Sequence, residues 1–114
     1  MSEIQAVARL RIYDGKLEEF KRLAAKCMES VRARDSGTLQ YDWFFNDDHS
    51  ECVVYERYRD SDALIEHGAN LGETMDALLR TCSISGDIFG TPSAALMKTL
   101  EGVDVRIYSP YQSI

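Results

Sequence analysis

The sequence predicts an α+β fold, ordered βαββαβ with an added αβ unit at its C-terminal end. Three observations carry that expectation. Residues 4–13 alternate between two faces, the period of a half-buried strand. From Lys16 to Arg34 the apolar residues recur at spacings of three and four, the period of an amphipathic helix. Two aromatic-rich runs then flank a short polar loop, which reads as a β-hairpin.

The first strand places Ile4, Ala6, Ala8, Leu10 and Ile12 on one face, and Gln5, Val7, Arg9, Arg11 and Tyr13 on the other. Asp14-Gly15 ends it, with Asp14 as the expected N-cap of the first helix. That helix carries Leu17, Phe20, Leu23, Ala24, Cys27, Met28 and Val31 on one stripe and closes near Ser36-Gly37. The hairpin pairs Thr38–Phe45 with Cys52–Tyr58 across Asn46-Asp47-Asp48-His49-Ser50. Leu39, Tyr41, Trp43 and Phe45 share one face of its first strand, with Phe44 opposite. Asp60 or Ser61 then caps a short helix ending near His67-Gly68, and a second helical piece runs from about Leu71 to Cys82. Ile84–Phe89 is a weaker strand because of Gly86. Pro92 opens a short helix through Leu100, where the missing N–H costs nothing in the first turn. Val103, Val105 and Ile107 alternate in a last strand. The helices are expected on one face of an antiparallel sheet.

The composition narrows the function classes. A chain of 114 residues with 45% apolar content fits one domain, 1–114, with a single core. No apolar run approaches the roughly 20 residues that span a bilayer, and the N-terminus lacks the apolar stretch of a signal peptide. A cytoplasmic protein without a membrane partner is expected. The net charge of −6 disfavours nucleic acid as a partner, because phosphate binding needs clustered cations. The three cysteines form no paired motif and read as reduced core thiols, with no metal site implied.

The aromatic strands raise a packing question. Helices cover only one sheet face, yet large apolar groups occupy both faces of the hairpin: Tyr41, Trp43 and Phe45 against Phe44, and Val54 and Tyr58 against Val53 and Tyr55. An exposed patch of that size marks an interface. A homodimer formed by packing sheet on sheet is expected.

The run GTLQYDWFFNDD followed by CVVYERYRDSDALIEH, after a strand and a long helix, resembles the antibiotic biosynthesis monooxygenase family. The strongest match is the spacing of Glu56, Tyr58, Asp60, Ala63 and His67. The resemblance covers about residues 4–90, with residues 91–114 as a C-terminal extension. It implies a ferredoxin-like fold assembled as a dimeric α+β barrel. It also implies oxygenation, without any cofactor, of a small electron-rich aromatic substrate such as a quinol or polyketide. In such chemistry the substrate itself is the reductant, so the protein supplies a base, an apolar pocket and exclusion of water. The haem-degrading branch of the superfamily places Asn, Trp and His where this chain has Ala8, His67 and Ala77, so haem cleavage is not implied.

Within that frame His67 is the candidate catalytic base, since imidazole titrates near neutrality. A place at a helix C-terminus favours its charged form; the alternative is a histidine held by backbone or by the Glu56 region. Tyr41, Trp43, Tyr55 and Tyr58 are candidates to stack on a flat substrate, against the alternative of core or interface packing. Asn70 is a candidate donor to a substrate oxygen, or else a turn residue. Arg9 and Arg11 read as partners of acids, with Glu56 one of those acids, and His49 reads as a surface residue. Two other functions stay open: a dimeric module that binds or senses a small molecule without turnover, and an isomerase on the same scaffold.

Overall fold

The computed structural model describes residues 3–114. Its elements are β1 (Ile4–Ile12), α1 (Leu17–Arg34), β2 (Thr38–Phe45), β3 (Glu51–Tyr58), α2 (Ser61–Leu78), β4 (Cys82–Phe89), α3 (Ala94–Thr99) and β5 (Val105–Tyr108). They form a five-stranded sheet in the order β2-β3-β1-β4-β5. The chain therefore has the expected α+β, ferredoxin-like βαββαβ core and αβ extension. β1 lies at the centre, antiparallel to both β3 and β4.

One correction concerns the sheet. It is mixed rather than antiparallel, because β5 runs parallel to β4. The short helix α3 crosses over between them and returns the chain in the same direction, as a parallel pair requires.

Local chemistry explains further differences. Asp14 does not cap α1; the capping position is Lys16, without a side-chain bond. The two helical pieces expected between Ser61 and Cys82 abut within α2, with the break at Gly72 rather than near Gly68. The first piece continues through Gly68, because Ala63, His67 and Leu71 form one buried stripe at intervals of four. The kink falls at Gly72, whose φ of +46° favours glycine. Cys82 belongs to β4. Pro92 precedes the cap residue Ser93, whose hydroxyl accepts from the Leu96 N–H at 3.1 Å. A register shift between Thr38 and Gln40 also removes Leu39 from the inward-facing set, leaving it exposed.

The helices cover one sheet face. Phe20, Leu23 and Cys27 of α1 and Leu71 and Leu78 of α2 pack with Leu10, Tyr41, Cys52 and Val54 in the main core. A second cluster joins Ile4, Tyr58, Ala63, Ile88 and Leu96, so α3 belongs to the core. Burying each such aliphatic or aromatic side chain contributes about 1.5–3 kcal/mol. All three cysteines are free and buried, and burial pushes the Cys27 and Cys52 thiols up to about 11. On the other sheet face Phe44 and Tyr55 stand about half exposed, edge to face at 6.0 Å. No described helix is long and apolar enough to cross a membrane.

Candidate functional site

The site is built around His67, which α2 delivers to the core. Asp60 caps that helix by accepting from the Ala63 N–H at 2.9 Å, and one turn beyond Ala63 the imidazole enters the protein, 5% exposed. The ring lies between two tyrosines, 5.0 Å from Tyr41 and 5.2 Å from Tyr58 by ring centroids. His67 lies shortly before the break at Gly72, near the C-terminal end of the first helical piece of α2, as the sequence leads one to expect. Its electrostatic partner is a carboxylate.

That carboxylate is Asp35, the residue that closes α1 in an extended conformation while its N–H donates to the Val31 carbonyl. Gly37 brings the following turn hard against α2, where an added Cβ would meet the Ala63 Cβ at 2.6 Å. The side chain of Asp35 is 1% exposed and lies 2.8 Å from His67 Nδ1 through Oδ2. Thr38 Oγ1 donates to the same oxygen at 2.6 Å, and Asn70 Nδ2 donates to Oδ1 at 2.8 Å. Burial alone would raise the Asp35 pKa. The bonds from Asn70, Thr38 and His67 outweigh it and hold the carboxyl below its ordinary value. An ionised carboxylate only accepts, so His67 Nδ1 carries the proton of this bond, and in the neutral ring the lone pair lies on Nε2.

His67 lines a cavity of about 320 Å³ between the sheet and α2. Its walls are mainly apolar, with Ala8, Leu10 and Val54 from the sheet, Met75 and Leu78 from α2, and Val105 from β5. Trp43 also lines it, and the indole Nε1 is buried without a hydrogen-bond partner. Glu56 lines the cavity as well, as do Asp87 and Asp104. The Glu56 carboxyl is enclosed by protein yet open to the lumen, and the Tyr58 hydroxyl donates to its Oε1. Burial raises the Glu56 pKa, against the Tyr58 bond and the neighbouring His67. The Tyr58 hydroxyl is held far above its usual range by burial and by Glu56.

The fold thus gathers Tyr41, Trp43 and His67 at the cavity, with Tyr58 packed against the imidazole and bonded to Glu56. It does not bring Tyr55 there, since that ring stands on the opposite sheet face. Asn70 lies behind the imidazole and binds Asp35. The pairing expected for Glu56 is corrected: Arg9 pairs with Asp87 at 2.9 Å and Arg57 with Glu3 at 2.7 Å. Parity was the available signal, because Glu56 shares its strand face with Val54 and Tyr58. Asp35 had no such signal, as nothing local distinguishes a helix-closing aspartate from one that reaches another helix. Among the described residues no three His, Cys, Asp or Glu side chains gather as a metal site requires.

An ionised carboxylate orienting a buried histidine beside an apolar cavity, on an open α+β sheet, is an arrangement suited to acid–base chemistry on a small molecule. The chain belongs to the antibiotic biosynthesis monooxygenase family, whose model matches residues 4–71. No curated protein matches it in sequence. Among solved structures it is similar to MupZ from Pseudomonas fluorescens, at 22% identity and a TM-score of 0.88, over 100% of this chain and 94% of that one. It is also similar to SnoaB, a cofactor-independent oxygenase from Streptomyces nogalater, at 18% identity and a TM-score of 0.69, over 82% of this chain and 97% of that one. A conserved protein from Methanosarcina mazei aligns at 19% identity with a TM-score of 0.69, over 77% of this chain and 91% of that one.

Proposed function

We propose that this protein is a cofactor-independent monooxygenase that oxidises an electron-rich aromatic, a quinol or polyketide-like compound, with O₂. The observation that carries this reading is the Asp35–His67 pair at the wall of an apolar cavity. His67 Nε2 accepts a phenolic proton, and Asp35 stabilises the imidazolium that forms. The resulting anion is electron-rich enough to reduce O₂ directly. A hydroquinone and O₂ then give a hydroxyquinone and water, with all four electrons drawn from the substrate. Trp43 and Tyr41 flank the space a flat ring would occupy. Membership of the family supports the reaction class.

The experiment is O₂ uptake by metal-free protein given 1,4-naphthohydroquinone and related quinols. One O₂ consumed per quinol, above the rate of autoxidation, is expected, with one labelled oxygen from ¹⁸O₂ in the product. Uptake no faster than autoxidation across the panel refutes the reading. Thermal stabilisation by the same compounds without turnover would instead identify a binding or regulatory module. Glu56 favours a second reading, an isomerase, because an acid and a base in one cavity can move a proton between two atoms of a substrate.

The same proposal includes a second copy of the chain packed on the open sheet face. The exposed Phe44–Tyr55 pair, on the outer face of β2 and β3, supports it. A cytoplasmic setting suits the three free, buried thiols.

A further inference from the structure

The proposed oxygenation leaves Glu56 without a task. Its Oε1 accepts from the Tyr58 hydroxyl, and among the described residues no hydrogen bond reaches Oε2. No lysine or arginine lines the cavity. A carboxylate here would be a partly buried negative charge facing mainly apolar walls, which is costly without a cationic partner. The other ionisable groups around it bring little relief. Tyr41 and Tyr58 from the sheet, Asp87 on β4 and Asp104 before β5 carry no positive charge, and His67 already shares its Nδ1 proton with Asp35. The protonated acid avoids that cost, consistent with the raised pKa that burial gives it. With Oε1 accepting from tyrosine, the proton of the acid falls to Oε2, which has no protein acceptor.

We propose that Glu56 donates a hydrogen bond to the ligand, and that the cavity takes molecules carrying a carbonyl oxygen on an apolar ring body. A carbonyl accepts the proton that no protein group takes, while the ring fills the space lined by Leu10, Trp43, Val54 and Leu78. During deprotonation by His67 the same donor would hold the negative charge that develops on that oxygen. The inference rests on the cavity being the substrate site, and not on O₂ chemistry.

The test uses the chain's only tryptophan, which lines this cavity and reports occupancy by its fluorescence. Two probes differ by one group: 1-tetralone carries the carbonyl, and tetralin is the same bicycle without it. Wild-type protein is expected to bind tetralone roughly fivefold more tightly, the order of one neutral hydrogen bond. Glu56→Gln keeps an N–H donor and a Tyr58 acceptor, so it should retain the preference. Glu56→Leu should abolish it and bind tetralin at least as well as wild type. Equal affinity of wild type for both probes, or no binding of either, overturns the proposal. So does a preference that Glu56→Gln loses, which would mean the ionised carboxylate is needed, or one that Glu56→Leu keeps. Because neither titration involves O₂, its outcome is separable from that of the turnover assay.

Discussion

Replacing Asp35 by Asn tests the arrangement that defines the site. The wild-type carboxylate takes a bond from His67 at 2.8 Å and one from Thr38 at 2.6 Å on Oδ2, and one from Asn70 at 2.8 Å on Oδ1. An asparagine of the same shape keeps a carbonyl toward His67 and Thr38, and Asn70 can turn its amide to accept from the new NH₂. The bonds survive; the charge does not. A hydrogen bond to a charged group contributes about 1.5–3 kcal/mol and a neutral one about 0.5–1.5 kcal/mol, so each bond weakens by roughly 1 kcal/mol. Across the three bonds the loss is about 3 kcal/mol, a large share of the roughly 5–15 kcal/mol available to a domain. Urea unfolding at pH 7 and a fixed protein concentration measures it. The pH dependence follows from the lowered pKa. Stability from Asp35 is complete above the ordinary carboxyl value of 3.8 and is lost as pH falls through the lower folded value. The gap between wild type and Asp35→Asn should therefore be constant near neutrality and close in acid. A gap under about 1 kcal/mol at pH 7, or one unchanged by acid, would refute the account.

Glu56 titrates with the opposite sign: its folded pKa is raised above the ordinary 4.5, so stability falls as pH rises from that value toward the folded pKa. Glu56→Gln should remove this slope and unfold at higher urea than wild type at pH 7. His67→Gln should lower turnover of a quinol by roughly 10²–10⁴-fold, the usual contribution of a positioned base. Phe44→Lys with Tyr55→Lys should yield a monomer by sedimentation, since both rings stand on the open sheet face; an unchanged mass would place the interface elsewhere. Val103→Trp narrows the cavity from the extension and should raise KM for three-ring substrates by about tenfold while sparing one-ring quinols, given the roughly 1–3 kcal/mol cost of overpacking.

Period and polarity made most of the fold legible. The alternation of β1 and the three-and-four spacing of α1 each bury one side, and the buried residues Phe20, Leu23, Cys27 and Val31 are among those the pattern names. What the pattern missed depends on tertiary contact. Gly68 reads as a helix end in isolation, yet the buried stripe on either side carries the helix through it. The direction of β5 depends on how α3 crosses over, and strand alternation is blind to direction. In the site, His67, Tyr41 and Trp43 were visible because a histidine and aromatics at inward-facing positions stand out. Asp35 was not, for its role arises only where α1 and α2 meet, about thirty residues apart along the chain.

The chemistry and the shape of this cavity come from different parts of the chain. Asp35, Glu56, His67 and the aromatic wall all fall within residues 4–71, the stretch that matches the family. The far wall comes from β4 and the extension: Ile84 and Ile88, then Leu100, Val103 and Val105. That wall is not an appendage, since Ser93 N–H donates to Ser61 Oγ at 3.0 Å, at the first residue of the helix that carries His67. Leu96 is buried against Ile4, Tyr58 and Ala63, so α3 also supports the tyrosine that holds Glu56. Removing the extension would therefore do two things at once, opening the cavity to water and loosening the acid beside the base. The surroundings push the two carboxyls in opposite directions, Asp35 below its ordinary value through its hydrogen bonds and Glu56 above it through burial. If the cavity is the proposed active site, the extension belongs to its walls, although it contributes none of the groups proposed to touch the reacting atoms.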